Sequence, residues 1–277
     1  MLQFKILLTR IKHRILLLYE FMSGGSVPTE CETPELRGGF SFVNSILFCI
    51  SAAGIVSSVV FIVLRVKYGG FKGLYSKAVA SFFFLLTALA AANVNSGHGV
   101  FAGLIVFGLA LGLSGDIWLD LKWIYEKDMG SFLNAGFIAF LIGHIFYISA
   151  VYSFCDNWTV LIALLPVAVS VIVSIINVIV IGKALGLKFG RFRTIVGIYT
   201  FFLFMTFTVS VAAMLLTGFD KEWILMSVGG LLFVLSDAVL SAMYFKDGCN
   251  TKINIIINHA LYYAAQFIIA SAILVIK

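Results

Sequence analysis

Residues 99–119 read GVFAGLIVFGLALGLSGDIWL, twenty-one residues with a single charge, Asp116. A helix needs about twenty mostly apolar residues to cross the hydrocarbon core of a bilayer, so this stretch reads as a transmembrane helix. Seven further runs of the same kind flank it. They cover residues 41–64 and 77–93 on one side, and 131–152, 158–181, 194–216, 222–245 and 253–276 on the other. Short connections join all eight. The expected fold is therefore all-α, a polytopic membrane helix bundle of about eight transmembrane helices in one compact domain.

Composition agrees. The chain is 61% hydrophobic and only 12% charged over 277 residues, whereas soluble domains carry about a quarter charged residues. Too few polar side chains exist to cover a water-facing surface, which leaves lipid as the exterior. The net charge of +6 is then a matter of topology, and no nucleic-acid partner is expected. The four cysteines, Cys31, Cys49, Cys155 and Cys249, show no metal or redox spacing.

Lys and Arg are distributed unevenly. Connections one, three, five and seven hold twelve, among them Arg65, Lys67, Lys122, Lys188 and Arg191; the even connections and C-terminus hold only Lys221 and Lys277. By the positive-inside rule the odd connections face the cytoplasm. The N-terminal tail opposes this orientation: eight spans put it outside with five basic residues. Residues 1–40 read as a basic amphipathic N-terminal segment, suited to an anionic membrane surface, followed by a polar linker; residues 41–277 form the membrane domain. Asn157-Trp158-Thr159 is a glycosylation sequon on the outer side, close against a span.

Ionisable groups inside hydrocarbon are costly and mark functional sites by default. Two acids lie clearly within spans, Asp116 and Asp237. At about 1.5 Å rise per residue, Asp116 lies roughly 5 Å and Asp237 roughly 12 Å from the cytoplasmic ends of their spans. His144 and Gln266 fall near roughly 20 Å, and Tyr199 near roughly 7 Å. Lys77 marks the cytoplasmic entrance of the second span. His144 and Tyr147 share a helix face, as do His259, Tyr262 or Tyr263, and Gln266. These depths predict one shared cavity. The competing reading makes Asp116, Asp237 and Lys77 interhelical glue, and His144 a satisfied structural donor. Asp120, Glu126 and Asp128 are expected to be solvated. His98 falls on the opposite side from His144 and His259, and no HxxxH or HExxH pair occurs, so no metal is expected. No nucleotide loop or nucleophile elbow is present, and no cofactor is expected.

Several of these segments resemble the lysoplasmalogenase (YhhN-like) membrane family. The third and fourth spans carry Gly115-Asp116 and then Gly136-Phe-Ile-Ala-Phe-Leu-Ile-Gly-His144-Ile-Phe-Tyr147, similar to the family's Gly-Asp helix end and its Gly-x-x-x-Phe…His-x-x-Tyr helix. Leu-Phe-Val-Leu-Ser236-Asp237 and Tyr262-Tyr263-Ala-Ala-Gln266 resemble its Leu-Phe-x-x-Ser-Asp and Tyr-Tyr-x-x-Gln segments, and Tyr199 falls where its sixth helix carries a Tyr. The resemblance runs from about Ser76 to Ala272, and the first forty residues have no counterpart. One departure is Lys77-Ala78, where the family often reads Lys-Pro; it concerns a helix kink and leaves the charge in place.

The resemblance implies hydrolysis of the vinyl-ether bond of lysoplasmalogens, whose alkenyl glycerophosphoethanolamine or glycerophosphocholine would yield a fatty aldehyde and the glycerophospho-headgroup. The residues suit that chemistry independently. Cleaving a vinyl ether needs a carboxylic acid that stays protonated near neutrality, and profits from a second carboxylate beside the cation formed. Asp237, the deeper acid, is the expected donor, with Asp116 the stabiliser or base and His144 a third catalytic group. Lys77 would hold the phosphate, and Tyr147, Tyr199, Tyr262, Tyr263 and Gln266 would line the substrate. The expected partners are a lysophospholipid and membrane lipid. Nothing in the sequence sets an oligomeric state. A eukaryotic host would place the protein in the endoplasmic reticulum or another endomembrane. The alternative function is a small-molecule or lipid transporter or channel. It would call for inverted repeats or helices broken at mid-membrane, and only Pro166 lies within a span.

Overall fold

A computed structural model describes residues 34–277 except 157. The basic segment before Pro34 lies outside the described residues, as do Cys31 and the sequon asparagine. All regular elements described are helical. Eight are long and apolar enough to cross a membrane: α1 (Pro34–Lys67), α2 (Gly70–Val94), α3 (Gly99–Leu121), α4 (Met129–Phe154), α5 (Val160–Ile176), α6 (Arg193–Leu216), α7 (Lys221–Phe245) and α8 (Lys252–Ser271). The helix of α1 begins at Pro34, inside the stretch read as linker. α5 continues through a π-helical turn, Asn177–Ile181, into Gly182–Ala184. The chain is an integral multi-pass membrane protein.

Six helices form a closed ring in the order α2, α3, α4, α6, α7, α8, with α8 back against α2. α1 lies outside on α2 and α8, and α5 lies outside on α6. These two bury the smallest share of their length, as lipid-facing helices should. α5 is tied to α6 by polar contacts, Ser174 Oγ donating to the Gly197 carbonyl at 2.6 Å and Ser170 meeting Thr208 at 2.9 Å.

Small residues set the tightest contact, between α3 and α4. A Cβ at Gly108 would stand 2.3 Å from the Tyr147 ring, one at Gly115 2.6 Å from Phe140, and one at Gly143 3.0 Å from the Gly108 carbonyl. With no hydrophobic driving force between helices in lipid, such close approach is what holds them. It also lets Tyr147 and Phe140 lie flat against α3.

α1 and α2 turn back on each other within two residues. Gly69 and Gly70 both have positive φ, 61° and 52°, a region that glycine adopts at little cost. α2 therefore starts seven residues before Lys77. Lys77 is not at the membrane entrance as expected but about two turns inside, and buried. At the same end of the bundle, the Lys188 amide donates to the Phe245 carbonyl at 2.6 Å, joining the fifth and seventh connections.

Candidate functional site

Asp116 is the hub. On α3 it faces α2 and α8 and is 2% exposed. Its Oδ2 accepts from Ser81 Oγ at 2.5 Å and from Tyr262 OH at 2.8 Å, while Lys77 Nζ stands 3.0 Å from Oδ1. Two hydroxyl donors and one full positive charge converge on this carboxyl. The network continues inward: Gln266 Nε2 donates to Tyr262 OH at 2.9 Å, and Tyr147 OH donates to Gln266 Oε1 at 3.3 Å. Tyr263 OH lies 3.1 Å from Ser81 Oγ and donates to the Lys77 carbonyl at 3.3 Å. Gly112 makes room for this, since a Cβ there would stand 2.8 Å from Gln266 Nε2.

Asp237 differs. Its Oδ2 accepts a short hydrogen bond from the Tyr199 hydroxyl. Among the described residues no cation is within ion-pair distance of it. The adjoining turn is clamped to α8, where Asn258 Nδ2 donates to the Ser236 carbonyl at 2.9 Å and Ser236 Oγ donates to the Asn258 carbonyl at 3.2 Å.

The two carboxyls wall one niche of about 30 Å³, room for one or two waters, each of which needs at least about 10–15 Å³. Lys77, Tyr199, Tyr262 and His259 share its wall with the rings of Phe137 and Phe140. A wider chamber of about 230 Å³ adjoins it at the end bearing the odd connections, with Leu240 and His259 common to both. Arg65, Asp120, Trp123, Tyr244 and Asn250 line that chamber.

Of the residues expected in one cavity, Asp116, Asp237, Lys77, Tyr199 and Tyr262 reach it. His144 does not. It is 1% exposed and sits behind the wall, its ring centroid 4.8 Å from Phe233 and 5.8 Å from Tyr199. Its side chain points to α6. Thr206 donates its one hydroxyl proton to the Phe202 carbonyl at 3.1 Å and so accepts from His144 Nδ1 at 3.0 Å. That assigns the Nδ1–H tautomer and puts the lone pair on Nε2, which has no hydrogen-bond partner among the described residues. Tyr147, Tyr263 and Gln266 are likewise behind the wall, as the supporting network of Asp116.

Asp120 corrects the sequence reading most sharply. It is not solvated but 2% exposed. Arg65 Nη1 lies 3.1 Å from its Oδ2 and Lys77 Nζ 3.5 Å from its Oδ1. One signal pointed to it: four residues after Asp116, it shares that residue's helix face. Ser81, Arg65, Lys122 and Asn258 were also missed. Ser81 sits one turn after Lys77, a spacing that offered the same kind of hint. Among the described residues, no group of three His, Cys, Asp or Glu side chains could hold a metal ion.

An eight-helix bundle with two differently bonded carboxyls facing one intramembrane niche is a polytopic membrane protein with a built polar centre. The family model of the YhhN family matches residues 74–273, and the chain belongs to that family. No curated protein and no solved structure matches it. The matched segment holds Lys77, Asp116, Asp237 and Gln266; Arg65 lies outside it.

Proposed function

We propose that the protein is a hydrolase that cleaves the vinyl-ether bond of lysoplasmalogens, releasing a fatty aldehyde and the glycerophospho-headgroup. The observation that carries this reading is the pair Asp116 and Asp237, which face one niche in opposite hydrogen-bond settings. Asp116, with Lys77, Ser81 and Tyr262 around it, is the carboxylate. Asp237, with a phenol and no cation, keeps its proton; Tyr199 occupies Oδ2, so the acid proton sits on Oδ1. Such pairs of unlike carboxyls are how acid and base roles are divided within one site.

The reaction follows from those states. Asp237 Oδ1–H gives its proton to the alkene carbon distal to the ether oxygen. The cation that forms on the proximal carbon and oxygen is stabilised by the Asp116 carboxylate. Water in the niche adds to the proximal carbon and returns a proton to Asp237, forming a hemiacetal. The hemiacetal then breaks its bond to the glycerol oxygen, which takes the hydroxyl proton, and the aldehyde leaves. His144 acts through its contact with Tyr199 as a positioning residue. The niche has room for water and not for a lipid chain, so the alkenyl end enters by parting side chains at its wall.

Aldehyde release from 1-alkenyl-glycerophosphoethanolamine by the purified protein is the test. Absence of release in a folded preparation would remove the reading. The transporter alternative loses support from where the helices are irregular: Pro166 and the π-turn both belong to α5, outside the ring. In a eukaryotic host the site would open toward the cytoplasm from the endoplasmic reticulum or another endomembrane.

A further inference from the structure

Lys77 cannot serve as a free phosphate anchor, because Asp116 and Asp120 both hold it. We infer that the wider chamber is instead a phosphodiester-binding site, with Arg65 as its cation, His259 and Asn250 as flanking donors, and Lys122 as a second charge behind the Tyr244 wall. The inference rests on the proposed function, since the phosphodiester is the headgroup of that lysolipid.

Arg65 is built for the task. Gly73 has no side chain, and a Cβ there would meet Arg65 Nη1 at 2.9 Å, so the guanidinium lies against the backbone of α2. The guanidinium carries five donors in a fixed fork that matches phosphate oxygens two at a time. It lines the chamber, and Asp120 engages it at Nη1.

Charge at this end is also out of balance. Arg65, Lys77 and Lys122 stand against the carboxylates Asp116 and Asp120, once Asp237 carries its proton. With Lys122 protonated the excess is one positive charge, a state that an anion bound nearby would favour. Lys122 is 3% exposed, and among the described residues no acid makes an ion pair with it. Its ammonium rests over the ring of Tyr244, itself a chamber wall, and 4.7 Å from the centroid of Trp123. Burial, with Lys77 and Arg65 nearby, pulls its pKa down to about 6. A bound monoanion supplies the counter-charge this buried ammonium lacks.

Size fits as well. A chamber of about 230 Å³ falls below the roughly 300–1,000 Å³ of whole-ligand pockets. It takes a glycerophospho-headgroup and leaves the alkenyl chain to the niche and the lipid. His259, on both walls, marks where the glycerol backbone passes from one to the other.

The test uses the full-length protein in detergent with three probes: inorganic phosphate, glycerophosphoethanolamine and glycerophosphocholine. Calorimetry should show both glycerophosphodiesters binding, with Arg65→Gln and Lys122→Met each weakening them about tenfold or more, the loss expected for a charged hydrogen bond. Arg65→Lys, which keeps charge but loses the fork, should fall between. In turnover, the preference in kcat/KM for lysoplasmalogen over 1-alkenylglycerol should drop about as much, on the same basis. If Arg65→Gln does not fold, the double variant Arg65→Gln/Asp120→Asn, which removes both members of the ion pair, takes its place. Unchanged binding in folded variants overturns the proposal. Inorganic phosphate binding as well as the glycerophosphodiesters would overturn it too, by marking a free-phosphate site. Glycerophosphodiester binding that the variants lose, in a wild type that cleaves no vinyl ether, supports the anion site and removes the hydrolase reading instead.

Discussion

Lys77 Nζ bridges Asp116 and Asp120, 3.0 Å from Oδ1 of the first and 3.5 Å from Oδ1 of the second, with all three side chains almost fully buried. The ammonium thus joins the niche to the chamber. Removing it leaves two carboxylates in an apolar interior. Lys77→Met is expected to destabilise the protein by about 3–5 kcal/mol, the cost of breaking a buried pair from one side. Lys77→Met/Asp116→Asn should recover part of that loss in unfolding temperature yet remain inactive in aldehyde release.

Asp237→Asn separates chemistry from packing. The amide keeps the shape and still accepts from Tyr199, but it has no acidic proton to give. Turnover should fall about a hundredfold to ten-thousandfold, while unfolding in detergent changes little. Near-normal aldehyde release would move the proton donor to another group.

Asp120→Asn is expected to do more than a surface change would. It weakens the holds on Arg65 and Lys77 together, and the cost should be about 1–3 kcal/mol in stability. The sequence argument placed this residue at the water boundary because the apolar run ends at Leu119. The helix continues to Leu121, and its inward face continues with it.

Eight spans and the pair Asp116 and Asp237 were legible because each depends on one property of one segment: apolar length for the spans, a charge inside hydrocarbon for the acids. What escaped depends on two segments at once. Arg65 counted only toward orientation, since nothing within α1 says that its side chain crosses Gly73 to reach Asp120, fifty-five residues on. The neighbours of His144 were not legible, because Thr206 of α6 holds its ring. Lys122 read as a loop charge, and only the packing of Tyr244 over it shows that it is buried.

Gly143→Val tests the α3–α4 contact. Even a Cβ there stands 3.0 Å from the backbone oxygen of Gly108, and backbone cannot swing aside as a side chain does. Overpacking of this kind costs about 1–3 kcal/mol. Tyr147 and Phe140 should move with α4, so aldehyde release should fall alongside the unfolding temperature.

Lys122 gives a pH signature. Its folded pKa is about 6 against 10.5 for the free side chain, so between those values the unfolded chain binds more protons and stability rises with pH. The groups acting on it are Arg65, Lys77 and Asp120, with the Tyr244 ring in contact. Lys122→Met removes the titration. Its gain in unfolding temperature over wild type should be largest near pH 6 and shrink toward pH 9, the window set by the lowered value. A gain independent of pH would show that the lysine is charged throughout.

Helix α1 packs on the ring chiefly against α2 and α8 and precedes the segment the family shares, yet its Arg65 reaches Asp120 on α3. The carboxyls, their phenols and Lys77 all stand on other helices. On the proposed reading, one headgroup contact, Arg65, therefore stands apart from the helices that carry the reaction. Substitutions in α1 could retune which lysolipid is admitted without passing through variants that have lost the chemistry.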